Sequence, residues 1–198
     1  MSRELFADSA IGILDYLSTV WARSFAQEED RVFTVGTGTG QPKGLNQYSI
    51  TSVTAASTLA DTAIALFYAL PVQYRRRASF AMHNSAFATL RGEKDGGATG
   101  GYVWTERLAD AAPTILGRPV IEINDLPTNL GAGTDESEIY FGDFSYYLIG
   151  DREEMGVETT TVGAGAFENH QVAFKAWERI DGKLGLTDAF RKAQMVVG

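Results

Sequence analysis

Between Ile13 and Phe25 the apolar residues Ile13, Leu14, Leu17, Val20, Trp21 and Phe25 recur at spacings of three and four. Only an α-helix gathers such positions into one stripe. Polar Asp15, Ser18, Arg23 and Gln27 fall on the other side. The pattern predicts one long helix over residues 8–30, with Asp8 or Ser9 as N-cap, because their side-chain oxygens can accept amides that a first helical turn leaves open. Glu28-Glu29-Asp30 then stands at the C-terminal end, where the helix dipole disfavours anions. These carboxylates are expected to be solvated or to meet cations elsewhere. A helix this long with a single apolar stripe needs a second layer to cover it.

The rest of the chain supplies strands and shorter helices. Gly36-Thr37-Gly38-Thr39-Gly40-Gln41-Pro42-Lys43-Gly44 must be a loop. It is not a phosphate cradle: Lys43 precedes its glycine, no Ser or Thr follows Gly44, and no strand–loop–helix unit surrounds it. A second helix is predicted over Ser57–Leu70, closed by Pro71. Ala78–His83 reads as a buried strand, and Asn84 as the cap of a short helix holding Phe87 and Leu90. Residues 93–101 and 126–138 are rich in Gly and charge and read as surface loops, with Tyr102-Val103-Trp104 resuming order between them. Ile115–Ile123 reads as a turn feeding a strand; 139–141 and 146–149 read as short strands. Met155–Val162 and Gln171–Ile180 alternate apolar and polar positions. In the second, Val172, Phe174, Ala176 and Ile180 share one face, and Gln171, Lys175 and Arg179, together with Trp177, the other. Asp181-Gly182 is expected to turn, and 189–197 to form a last strand. The order of elements is that of an α+β fold without regular βαβ alternation.

Chemistry is sparse in this sequence. It holds no cysteine and two histidines, His83 and His170, which removes thiolate sites and leaves no zinc-ligand spacing. No metal, cofactor or catalytic residue is expected. His83 has no identifiable serine or carboxylate partner and reads as a satisfied histidine. Asp135, Glu136, Glu138, Asp143, Asp151, Glu153 and Glu154 cluster in turns and read as solvated surface, or as partners of Arg152 or Arg179 across a subunit boundary. A formal charge of −8 argues against broad nucleic-acid binding. Arg75-Arg76-Arg77 fits a solvated turn or a subunit contact better than a DNA site. No apolar run reaches the ~20 residues of a membrane span, and Met1–Leu5 lacks the apolar core of a secretion signal.

Several segments in order resemble the major capsid proteins of tailed phages with the Hong Kong 97 type shell fold. They are the helix opening on Leu5-Phe6-Ala7-Asp8-Ser9, the glycine-rich stretch ending Pro42-Lys43-Gly44-Leu45, and Leu70-Pro71-Val72-Gln73-Tyr74-Arg75-Arg76-Arg77-Ala78-Ser79-Phe80 with Met82 and Asn84. Leu116-Gly117-Arg118-Pro119-Val120, Phe141-Gly142-Asp143-Phe144 and Ile149-Gly150-Asp151-Arg152 continue the series.

The resemblance implies a peripheral domain, residues 1–45 and 150–182, built from a spine helix and long strands. It also implies an axial domain, residues 46–149 and 183–198, that meets its copies around fivefold and sixfold axes. Its implied function is structural, not enzymatic: a virion shell protein of a phage, prophage or gene-transfer particle, made in the host bacterial cytoplasm. Pentamers and hexamers would enclose double-stranded DNA without sequence-specific binding, with portal and scaffold proteins as further partners and no membrane. Arg75, Arg76, Arg77, Arg152, Arg179 and Trp177 are the expected subunit contacts. The alternatives are a bacterial nanocompartment shell and, remotely, a small soluble enzyme. Family members usually carry an arm and an extended loop ahead of the spine helix. This sequence starts almost at the helix, so neither the straps nor covalent cross-linking through that loop is expected, and unaided shell closure is not expected either.

Overall fold

The computed structural model describes residues 1–8, 12–56, 58–94, 100–101, 113–126, 138–162 and 165–194. Ser9, Ser57, Tyr102–Trp104, Asp135, Glu136 and the last residues of the C-terminal strand lie outside the described residues, as does most of both expected loops.

Two helices, α1 (Arg3–Asp8) and α2 (Ile13–Val35), stand where the sequence predicts one over 8–30. Asp8 closes α1 instead of capping α2, whose cap position is Gly12 without a side-chain hydrogen bond. At the other end the acidic run does not stop the helix. Arg31 forks the Glu28 carboxylate, and Val32 and Thr34 are buried beyond it. Burying Val32 is worth about 1.5–3 kcal/mol, more than the roughly 0.3–1 kcal/mol that the dipole charges for a misplaced anion.

The glycine-rich stretch folds back on the helix end, as a redirecting turn should. Gly44 N–H donates to Gly36 O at 2.8 Å. A Cβ on Gly44 would sit 2.5 Å from Gly36 N, and one on Gly36 2.4 Å from Pro42 O, so the two backbones touch where no side chain fits. A short 3-10 turn, Leu45–Gln47, leads to β1 (Ser52–Thr54).

Then come α3 (Leu59–Ala69), α4 (Val72–Arg75), β2 (Ser79–Met82) and α5 (Asn84–Gly92). Leu70 caps α3 just before Pro71, as expected. The cap of α5 is His83 rather than Asn84: its Nδ1 accepts Ser85 N–H at 3.0 Å. The half-buried histidine is thus satisfied locally. β3 (Thr114–Ile115) and β4 (Arg118–Glu122) flank a turn at Leu116 and Gly117, both with positive φ. The chain continues through β5 (Glu138–Gly142), β6 (Tyr147–Thr160), β7 (Ala173–Leu184) and β8 (Phe190–Gln194).

Six strands form one mixed sheet in the order β1-β8-β5-β2-β4-β3. β5 lies antiparallel between β8 and β2, while β1/β8 and β2/β4 are parallel pairs. One face carries α3 and α5, burying Leu59, Leu66, Phe80, Phe87 and Phe141. The opposite face buries Leu45, Leu126, Tyr140, Leu184 and Phe190. Ile139 and Phe141 point one way and Tyr140 the other, so β5 is covered on both sides. That explains why it reads as an unbroken apolar run rather than an alternating one.

β6 and β7 make a separate two-stranded ribbon, paired from Tyr147↔Leu184 to Thr160↔Ala173. Asp181 and Gly182, expected to turn, stay in β7 opposite Gly150 and Ile149. Gly182 is retained because the Phe33 ring and the Tyr147 hydroxyl close over it, within 2.9 Å of any added Cβ. The same Phe33–Tyr147 edge contact, 5.8 Å between centroids, seats the end of α2 on the base of the ribbon. At the ribbon's far end Val172 N–H donates to Met1 O and Phe6 packs on Phe174. Among the described residues no helix is long and apolar enough to cross a membrane.

Candidate assembly interface

The apolar stripe of α2 is only partly covered. Val32 is buried at the C-terminal end, but Leu14 and Val20 are 38% exposed and Tyr16 is 64% exposed. The ribbon repeats this: Leu148 and Ile149 are both more than half exposed, as is Phe167 beyond its tip. A two-stranded ribbon with both edges unpaired has little stability alone. Its exposed apolar side chains make it a candidate contact surface.

The expected contact residues fall into two groups. Arg75 is used inside the chain: its guanidinium donates to Leu70 O and Tyr68 O, both at 2.7 Å, and lies over the Phe67 and Tyr68 rings. It closes the C-terminus of α3, where a cation complements the dipole. Arg76 and Arg77 are exposed, and no described ion pair involves them. Arg118, on neighbouring β4, donates to Arg76 O at 2.7 Å and so stands beside the same turn.

Trp177, Arg179 and Arg152 lie on the ribbon. Trp177 Nε1–H donates to Glu153 Oε1 at 2.8 Å, with Lys175 over its ring and Arg179 Nε 3.5 Å from Glu153 Oε2. Lys175, Trp177 and Arg179 thus share one face, as the alternation predicts. Gly156 lies beneath the indole, since an added Cβ would meet it at 2.6 Å. Arg152 and Arg179 also line a groove of about 690 Å³ between the ribbon and α2, together with Glu28, Glu29, Glu178 and Asp181. Burial, and then Glu178 facing it, pushes the Glu29 carboxyl above its usual range. Arg31 holds Glu28 below it.

Two carboxylates expected on the surface are buried instead. Asp143 accepts from Ser145 N–H and Oγ–H. Glu138 accepts from the Tyr140 hydroxyl, from Gln194 Nε2 at 2.8 Å and from Lys192 Nζ at 3.3 Å. Burial and that neighbouring carboxylate drive the Tyr140 hydroxyl far up, so it stays protonated and donates. Sequence reading missed this network because Glu138 borders a glycine-rich stretch. The available signal was its place one residue before the fully buried run 139–141. Glu138 has three donors, which suits a buried group that fixes strand register. Among the described residues no group of three His, Asp or Glu side chains could hold a metal ion.

Comparison with known proteins places this architecture among shell proteins. A family model described as the Phage capsid family matches residues 1–195. The chain is 37% identical over 79 residues to the major capsid protein of Klebsiella oxytoca phage phiKO2, a stretch covering 40% of this chain and 17% of that protein. The capsid of a native GTA particle computed with C5 symmetry superposes with a TM-score of 0.83 and 27% identity, covering 99% of this chain and 70% of that one. The holo-SrpI encapsulin complex from Synechococcus elongatus PCC 7942 has a TM-score of 0.63 at 15% identity, covering 100% of this chain and 71% of that one. At that identity the likeness shows the fold alone.

Proposed function

Because this chain belongs to the phage capsid family, we propose that it is a structural shell subunit whose task is self-association into five- and sixfold capsomers around double-stranded DNA. The observation that carries this is the superposition of nearly the whole chain on a gene-transfer-agent capsid subunit. The uncovered apolar stripe of α2 and the exposed ribbon supply surface for neighbours to bury. Specific assemblies of this kind need about 1,200–2,000 Å² per contact, which symmetry then repeats.

In this reading α2 and the β6–β7 ribbon form the peripheral unit and the six-stranded sheet the axial one. Arg76, Arg77, Arg152, Arg179 and Trp177 belong to subunit contacts, while Arg75 closes α3. Portal and scaffold proteins are the other partners, and the assembled shell is the site of action. The identity to a gene-transfer capsid, 27% against 15% for the encapsulin, favours a DNA-enclosing particle over a nanocompartment.

Sedimentation velocity at rising protein concentration tests the proposal. Species with the mass of pentamers, hexamers or larger shells are expected. A monomer throughout the accessible range would refute it.

A further inference from the structure

The chain carries two charged patches of opposite sign, and among the described residues neither is fully paired. β2 and β4 are parallel, so their first residues share one end of the sheet, and the turn before β2 brings Arg76 and Arg77 beside Arg118. None of these three guanidiniums lies within ion-pair distance of a carboxylate among the described residues. The second patch is the groove of about 690 Å³ between α2 and the ribbon, lined by Glu28, Glu29, Glu178 and Asp181. Its cations are already engaged or outnumbered. Of the two arginines lining it, Arg179 reaches Glu153 and Arg152 has no ion pair with a described carboxylate, while Arg31, outside the lining, forks Glu28. Glu29 holds its proton more tightly through burial first and then through Glu178, which faces it across the groove.

We infer that the Arg76–Arg77 turn of one copy docks against the Glu29–Glu178 groove of the next, forming a heterologous contact between subunits. This rests on the shell-subunit reading above and names the pairing within it. Closed rings of identical chains need two different, mutually complementary patches on each chain, since a head-to-tail contact uses one from each neighbour. These two supply the charge complementarity: guanidinium forks match carboxylates in pairs, and the groove has carboxylates to spare. Double-stranded DNA is the competing partner for the arginines. It would explain the cationic turn but leave the anionic groove without a counterpart.

The test compares two charge-reversed full-length variants, Arg76→Glu/Arg77→Glu and Glu29→Lys/Glu178→Lys, by sedimentation velocity alone and as an equimolar mixture. All four positions lie at a turn or a groove wall, and circular dichroism with thermal melts checks that each variant folds. Shape-conserving Arg76→Gln/Arg77→Gln and Glu29→Gln/Glu178→Gln cover the case of a reversal that unfolds. Each reversed variant alone should lose association by about tenfold or more. The mixture should recover it in even-numbered rings only, because opposite variants must alternate. Wild-type association in both single variants, or no recovery on mixing, would overturn the pairing while leaving the shell reading intact. A wild-type protein that never associates would overturn both. Loss of binding to a short DNA duplex in Arg76→Gln/Arg77→Gln, with association unchanged, would assign the arginines to DNA and overturn the inference.

Discussion

The carboxylate of Glu93, at the end of α5, accepts the backbone amide of Leu59, the first residue of α3, at 2.5 Å, and that of Ala60 at 2.9 Å. Thr58 accepts the next amide, Asp61 N–H, so the first turn of α3 has its three leading donors satisfied, two of them from a residue more than thirty positions away. An anion at a helix N-terminus is also favoured by the dipole. Glu93→Ala should therefore destabilise the fold by about 1–2 kcal/mol, the range for a lost cap. Thermal melts should show a fall of roughly 2–8 °C. Glu93→Gln, which keeps one acceptor oxygen, should cost less than half as much. An unchanged melting temperature in Glu93→Ala would show that water replaces the tie.

Glu138 should depend on Lys192. The pair is nearly buried, with side chains 5% and 10% exposed. Removing the cation leaves a buried carboxylate short of a partner, so Lys192→Met should cost about 3–5 kcal/mol in urea unfolding. Adding Glu138→Gln to that variant should recover part of the loss. If the double variant is additive, the two groups do not interact.

Gly44 should not tolerate a side chain. Its added Cβ would meet backbone atoms of Gly36 and Thr34 within 2.7 Å, so Gly44→Ala should cost about 2–3 kcal/mol in the same assay. Gly92, at the end of α5 with nothing within 4 Å, should behave oppositely. Gly92→Ala should stabilise by about 0.4–1 kcal/mol through the unfolded chain.

Much of this was legible in the sequence, and the failures share a cause. The helix carrying Ile13 to Phe25 and the strand at 139–141 were readable because their apolar residues are local signals of element type, although the stripe itself is left partly exposed. The ends of α2 were not. Arg31 and buried Val32 carry the helix past Glu28-Glu29-Asp30, and burial at Val32 is a property of the folded chain that the local charge run does not report. Asp181-Gly182 looked like a turn because those residue types prefer turns. Its strand conformation is imposed by Phe33 and Tyr147 from outside the segment. Likewise Glu138 looked like surface until its three donors came together. Of the contact residues, Trp177 and Arg179 kept the predicted face. The bonds of Arg75 to the Tyr68 and Leu70 carbonyls were not legible, because those carbonyls are presented only with the end of α3 in place.

Glu29 and Glu28 should give opposite pH effects. The folded-state pKa of Glu29 is raised, so the folded chain binds this proton more tightly than the unfolded one. Its contribution favours folding at acid pH and is lost as pH rises through the usual carboxylate range. Glu29→Gln should therefore raise stability at neutral pH. Glu28 is lowered by Arg31, so its contribution is present at neutral pH and lost on acidification, and Glu28→Gln should lower neutral stability. Urea titrations across the acid range distinguish the two. The same sign for both variants would contradict the assignment.

Tyr147 governs the alkaline side. Burial, then Tyr48 and Asp181, push its hydroxyl up to about 12 from 10.0, and it donates to Lys43 O at 3.0 Å. The unfolded chain loses this proton first, so stability should fall as pH rises between those values. Tyr147→Phe should flatten that fall, which denaturation at graded alkaline pH would show.

The central claim is that this chain tiles a shell. Class averages of negatively stained particles of the purified protein test it most directly. Closed rings of five- or sixfold symmetry, with α2 and the ribbon at subunit boundaries, are the predicted result. Twofold dimers or separate monomers at every concentration would contradict it.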